Sequence, residues 1–169
     1  MPDPFTSLFA KIGDDPNRED LKRTPKRLFA LWEGLLSGYQ SDLSLELGNL
    51  IEAPSQDLIR LSKIPFHSIC EHHLMPFFGR VKICYLPKNH IAGIAGITRV
   101  VKALSLRLQI QERLSNELAD FLFEALDPIF LQVDISATHL CLMMQGGVMQ
   151  DIRSGTKLKT RALRGDAKK

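Results

Sequence analysis

The sequence predicts an α+β domain, and three observations carry that prediction. Apolar residues recur at helical spacing in two stretches, near residues 25–38 and across 97–126. They alternate with polar ones in three others, 57–65, 80–86 and 132–137. Helical segments come first, then two strands, two helices and further strands, an order that segregates the two kinds of element.

From the N-terminus, residues 5–12 read as a short amphipathic helical turn. Gly13-Asp14-Asp15-Pro16-Asn17-Arg18 ends it, since its glycine, aspartates and proline are turn formers. Thr24 is the expected N-cap of a second helix, with Pro25 at the first helical position. Leu28, Leu31, Trp32 and Leu35 form its apolar face, and Gly38 ends it. Residues 41–56 are polar and weakly patterned, and read as a linker between the helical region and the first strand. The strands at 57–65 and 80–86 bracket a loop. Ile97, Val100, Val101, Leu104 and Leu108 then make one helical stripe, and Leu114, Leu118, Phe121, Leu122 and Leu126 a second. Asp127-Pro128 breaks the run, and the strand at 132–137 leads into His139 and Cys141. The expected organisation is an N-terminal helical region (1–56), a catalytic core (57–160) and a basic C-terminal tail (161–169), within one domain overall.

A chain of 169 residues suits one domain with a substantial core. No apolar run approaches the roughly 20 residues that cross a bilayer. Met1-Pro2-Asp3-Pro4 lacks the basic start and apolar segment of a signal peptide, so a cytoplasmic location without membrane contact is expected. Three cysteines, an odd count, favour reduced thiols or metal ligands over a disulfide framework. Cys84 falls in a strand-like run and reads as packing. The net charge of +3 is unevenly placed: Arg153, Lys157, Lys159, Arg161, Arg164, Lys168 and Lys169 face a single acid, Asp166, after residue 152. No aromatic residues are interleaved there for base stacking, so nucleic acid is not an expected partner, and the run reads as a solvated tail.

The chemistry concentrates in Ser68-Ile69-Cys70-Glu71-His72-His73. A thiol and an imidazole three positions apart can grip one soft divalent metal, because zinc accepts thiolate sulfur and imidazole nitrogen. A third ligand is available in Thr138-His139-Leu140-Cys141-Leu142, where His139 and Cys141 alternate with apolar residues as on a strand and so point to one side. Taken singly, a buried cysteine is usually a small core residue. Three protein ligands with an open position make the pattern of a catalytic zinc site. If Cys70, His73 and Cys141 bind the metal, His72 and His139 remain beside it as imidazoles able to pass protons near neutral pH.

Gly13-Asp14-Asp15-Pro16-Asn17-Arg18-Glu19, Lys22-Arg23-Thr24-Pro25-Lys26-Arg27, Cys70-Glu71-His72-His73, Gln109-Ile110-Gln111-Glu112-Arg113-Leu114 and His139-Leu140-Cys141 come in the order seen in the GTP cyclohydrolase I family. The chain resembles that family from about residue 13 to 160. The resemblance implies a tunnelling fold (T-fold), an antiparallel sheet with two helices on one face, whose sheets join between copies into a barrel and stack into a homo-oligomer, a decamer. It implies zinc on Cys70, His73 and Cys141, proton transfer by His72 and His139, and a small-molecule purine substrate anchored by Glu112. A carboxylate there accepts two hydrogen bonds from the guanine N1–H and amino group, with Gln111 as the expected helper. The implied reaction is hydrolysis at C8 of GTP by zinc-activated water, with His139 or His72 protonating the departing ring nitrogen. C8 leaves as formate, and the ribose recloses on the freed amine to give dihydroneopterin triphosphate for folate or related pterins.

Three positions depart from the family pattern. Where the family has serine and lysine in a Gly-Leu-Ser-Lys stretch, both contacting the triphosphate, this chain has Ala95 and Gly96. Gln145 stands where an arginine clamps phosphate, and the chain stops at Lys169. Of that set only Arg99 persists. Each lost charge-assisted contact is worth on the order of 1.5–3 kcal/mol, so either Lys157 and Lys159 supply replacement cations or the substrate is a guanine derivative without the triphosphate. Two further readings compete: a non-catalytic member in which zinc only stabilises the fold, and the related nitrile reductase, whose cysteine nucleophile the complete metal set here argues against.

Overall fold

The computed structural model describes residues 4–144 and 157–166. They divide into two compact units, Met1–Leu36 and Ser37–Lys169.

The first unit holds α1 (Pro4–Lys11) and α2 (Thr24–Leu35). Phe5 meets Phe29 edge-on, ring centroids 5.5 Å apart. Between the helices Arg18 Nε donates to Asp14 Oδ1 at 3.0 Å, which keeps the turn compact. The second helix begins one residue earlier than expected. Thr24 lies inside it and Arg23 takes the N-cap position without a side-chain cap bond, so the fixed φ of Pro25 in the first turn carries the start signal.

The second unit runs through a 3₁₀ turn (Ser37–Gln40), α3 (Leu43–Leu47), β1 (Leu50–Glu52), β2 (Ile59–Cys70), β3 (Pro76–Leu86), β4 (His90–Ala92), α4 (Ile94–Ser105), β5 (Leu108–Gln109), α5 (Gln111–Leu126), β6 (Phe130–His139), α6 (Leu140–Met144) and β7 (Leu158–Gly165). The main sheet has the order β5-β2-β3-β6-β7 and is antiparallel except where β5 joins the end of β2 in parallel. Alternate residues of its strands (Val81, Ile83 and Tyr85; Leu131, Val133 and Ile135) are buried under the apolar stripes of α4 and α5. Each leucine removed from water there contributes about 1.5–3 kcal/mol.

Several expectations change. Residues 41–56 are structured: the Asp42 carboxylate accepts from the backbone N–H groups of Ser44 and Leu45 to cap α3, and β1 pairs with β4. Leu108 leaves the helical stripe, because α4 stops at Ser105 and Leu108 belongs to β5. Residues 161–165 are not a solvated tail but part of β7, paired with β6 from Asp134↔Arg161 to Phe130↔Gly165. The inward positions of β7 are Thr160, Ala162 and Arg164, so the strand shows no apolar alternation to read. In β2 the register shifts between Leu61 and Ile64, where Lys63 takes φ +62° and two successive residues face outward.

Candidate metal centre and active site

Cys70 is the last residue of β2. The chain reverses through Glu71–His73, with Leu74 in a left-handed conformation at φ +53°. Cys70 N–H donates to the Met75 carbonyl at 2.9 Å and Leu74 N–H to the Cys70 carbonyl at 2.8 Å, which fixes the turn. His73 Nδ1 thereby comes to 3.8 Å from Cys70 Sγ.

Cys141 arrives from the far end of the chain. Phe77 of β3 pairs with His139 of β6, and Cys141 lies in the first turn of α6. The strand-like alternation expected at His139 and Cys141 therefore stops at His139: a helical turn, not a continued strand, brings the thiol in. One ligand atom from each of Cys70, His73 and Cys141 lies within 4.8 Å of the other two. Both cysteines are buried, while His73 is exposed. Burial, and after it the neighbouring Cys70, pushes the Cys141 thiol up. A bound cation favours the deprotonated thiolates.

The donor set fits zinc. Ligand atoms on a tetrahedral zinc, with bonds of about 2.0–2.3 Å, stand roughly 3.3–3.8 Å apart. The Cys70–His73 spacing of 3.8 Å is at the edge of that range, and the 4.8 Å limit on the others leaves a closure of about 1 Å.

His139 stands beside this cluster, held from two sides. Its ring stacks on Phe77 with centroids 4.7 Å apart and planes 4° from parallel. Its Nε2 lies 2.9 Å from Gln111 Oε1. The Gln111 amide nitrogen donates to the carbonyls of Ile135 and Leu158 and to Thr160 Oγ1, at 3.1–3.2 Å. Carbonyls can only accept, so the amide orientation is fixed and its oxygen faces the imidazole. His139 Nε2 must then carry the hydrogen, leaving Nδ1 as the nitrogen free to exchange a proton. Burial lowers the His139 pKa, and the Glu112 carboxylate opposes that shift.

Gln111, expected as a helper in holding a purine, is 1% exposed, and its side-chain amide is engaged inside the chain, where it holds His139. Glu112, the next residue, is exposed in the first turn of α5, and among the described residues no hydrogen bond or ion pair takes up its carboxylate. His72 is 64% exposed, with Nε2 3.8 Å from Glu71 Oε1. Arg99 is not brought to the cluster. It lies on α4 with Nε donating to the Glu46 carbonyl at 2.9 Å, and it lines a separate cavity of about 210 Å³. Lys159 sits on β7 and Lys157 just before it. Gln145 lies outside the described residues.

A second set of residues has a role that the motifs alone do not reveal. Arg113 reaches from α5 to the Glu71 carboxylate, to Gln109 Oε1 at 3.0 Å and to the Leu108 carbonyl at 2.9 Å. The guanidinium, with a smaller effect from His72, holds the Glu71 carboxyl below the usual carboxylate range. This clamp ties the metal turn to the start of α5. Its only trace in the sequence is a charged pair split between two motifs, Glu71 and Arg113.

The family model described as GTP cyclohydrolase I matches residues 2–169. The chain is a member of the GTP cyclohydrolase I family. A relative named GTP cyclohydrolase 1 from Helicobacter pylori strain G27 is 42% identical over 166 residues, covering 98% of this chain and 90% of its own length. One from Wolinella succinogenes is 43% identical over 147 residues, covering 86% and 79%, and one from Leptospira biflexa 42% over 140 residues, covering 82% and 76%. Among solved structures, the apo archaeosine synthase QueF-like superposes with a TM-score of 0.54 at 19% identity, over 66% of this chain and 97% of that one. At that identity the likeness speaks to fold alone, and the fold is the α+β tunnelling fold. The family is one of hydrolases.

Proposed function

We propose that this chain is a zinc-dependent cyclohydrolase that opens the imidazole ring of a guanine nucleotide at C8, with GTP converted to dihydroneopterin triphosphate and formate. The observation that carries this is the meeting of Cys70, His73 and Cys141 within 4.8 Å, beside a histidine whose tautomer and ring plane are both fixed. Zinc, when bound there, lowers the pKa of water towards neutrality. The chain's own groups do the rest. Glu112 accepts from the guanine N1–H and amino group and sets the purine's orientation. As water adds at C8 and a ring C–N bond breaks, the departing nitrogen needs a proton, which His139 supplies from Nδ1 once charged. His72, which is exposed, exchanges protons with solvent. A second hydrolysis releases C8 as formate. Reclosure of the ribose carbons on the freed amine expels one water, so one water is consumed overall.

The sheet edges bear on the assembly. Among the described residues, the outer edge of β7 and most of the outer edge of β2 carry no strand partner. Copies joined edge to edge satisfy those backbone groups, in keeping with a homo-oligomer, a decamer by family resemblance. No helix among the described residues is long and apolar enough to cross a membrane, and a cytoplasmic location accords with a nucleotide substrate.

One observation favours a substrate with fewer phosphates. A Cβ on Gly96, where the family carries a phosphate-binding lysine, would stand 2.1 Å from the Leu47 carbonyl oxygen. Arg99 is paired with Glu46, Nε to Oε2 at 3.5 Å. The α3 segment thus fills one phosphate position and partly neutralises another. Zinc-loaded protein offered GTP, GMP, guanosine and guanine in parallel, with products read by mass spectrometry, tests both readings. Ring-opened or pterin product from GTP supports the first, and preference for GMP or guanosine supports the second. Absence of product from all four would overturn the cyclohydrolase assignment.

A further inference from the structure

The sheet face turned away from α4 and α5 carries charge that the proposed reaction does not use. A cavity of about 550 Å³ opens on it, lined by five cationic side chains (Lys63, Arg80, Lys82, Lys159 and Arg161) and one carboxylate, Asp134. Strand register explains the convergence. Arg80 lies opposite Ser136, which lies opposite Lys159; one row along, Lys82, Asp134 and Arg161 stand in line. With strands about 4.8 Å apart, Arg80 and Lys159 flank the Ser136 hydroxyl at about 10 Å between their Cα atoms. Two long side chains can close over that gap.

Among the described residues, four of these five cations have no carboxylate partner. Asp134 is engaged by Arg161 Nε at 2.6 Å and by Gln132 Nε2 at 2.5 Å. No described carboxylate pairs with Lys63, Lys82 or Lys159. Arg80 Nη1 donates to the Lys63 carbonyl at 3.3 Å, a neutral partner that holds the guanidinium without removing its charge. The bulge in β2 contributes as well: Ser62 and Lys63 face outward together, and Lys63 keeps a left-handed φ of +62° that only its surroundings can hold.

We propose that this face binds a phosphorylated small anion, an oligophosphate held between Arg80 and Lys159 over Ser136, with Lys63 and Lys82 beside it. Four unpaired cations call for a ligand with several negative charges, and the guanidinium fork matches phosphate oxygens. The cavity volume is that of a small-molecule site. Its lining holds no aromatic side chain on which nucleobases could stack, which sets a nucleic acid strand aside. The site is independent of the reaction proposed above: Ser136 and Asp134 alternate to the face opposite His139 on the same strand.

The test titrates zinc-loaded full-length protein with inorganic tripolyphosphate by isothermal calorimetry. Saturable binding is expected, weakening several-fold as salt rises from about 0.1 to 0.3 M. The Arg80→Gln, Lys159→Gln double variant should bind at least about tenfold more weakly, while Arg80→Lys, Lys159→Arg stays within a few-fold. Arg99→Gln should leave this component intact, which separates it from any anion held at α4. Wild-type affinity in the double variant, loss of the component in Arg99→Gln, or uptake without saturation would each overturn the proposal. If circular dichroism shows the double variant unfolded, Lys159→Glu alone, at the sheet edge, decides: unchanged binding rejects the site.

Discussion

The metal end of the sheet and the corner where α3 meets α4 are built on opposite lines. At the metal end two elements are held from outside themselves: His139 between Phe77 and Gln111, and the turn carrying Cys70 and His73 by Arg113 on Glu71. Two sulfurs from opposite ends of the core meet in a buried position. At the α3–α4 corner the surviving family residue, Arg99, is 50% exposed and tied to an acid of its own chain, and Gly96 leaves no room for a side chain. Around the candidate metal cluster His139 and the Cys70–His73 turn are held by neighbours, while at the α3–α4 corner one position expected to hold a phosphate tail is closed off at Gly96 and another is partly neutralised at Arg99. On the function proposed above, ring chemistry and tail recognition are separately encoded, and each can change without the other.

The largest effect is expected at the metal end, from Cys141→Ala. Removing one of three protein ligands should abolish stoichiometric zinc and take turnover below detection. Metal analysis alongside the product assay checks it, and full turnover by zinc-free protein would defeat the mechanism. Gln111→Ala comes next. It leaves the metal ligands untouched but frees the His139 ring and its tautomer, so kcat should fall roughly 10–100-fold with zinc retained and KM little changed. A raised KM with normal kcat would instead return Gln111 to a substrate-binding role.

Much of this was legible from the chain, and the gaps have physical causes. The stripes of α4 and α5 and the alternating strands announced the core because burial demands those periods, whereas the apolar face of α2 buries no residue. Cys70, His73 and Cys141 stood out as candidate ligands because few residue types bind zinc, and the fold brings them within 4.8 Å of one another. The role of Gln111 was not: a buried amide and an exposed one look alike in sequence, and only the register of β6 and β7 against α5 shows its partners. Strand β7 was hidden because its inward side is Thr160 and Ala162, too small and polar to mark a core strand, while its outward lysine and arginine resembled a tail. Gly96 could be seen as a departure from a pattern, but the carbonyl that forbids a side chain there belongs to Leu47, in a segment with no pattern of its own.

At the α3–α4 corner the expected effects are smaller. Gly96→Ala drives a methyl against the Leu47 carbonyl, 2.1 Å away, and backbone cannot swing aside as a side chain can. Overpacking of this kind costs about 1–3 kcal/mol, a fall in Tm of roughly 2–12 °C for a chain of this size. An unchanged Tm would mean that α3 moves freely from α4, and that the lysine position is open after all.

Glu46→Gln is the mildest change and the most informative about substrate. The Arg99–Glu46 pair is half exposed, so its loss should alter stability by less than about 1 kcal/mol. The variant keeps the backbone carbonyl that also accepts from Arg99, so the guanidinium stays in place and only the opposing charge is removed. If Arg99 reaches a phosphate in the assembled enzyme, kcat/KM for GTP should rise a few-fold relative to guanosine. Equal effects on the two substrates would show that Arg99 serves α3 packing alone, and that tail recognition in this chain rests on other residues.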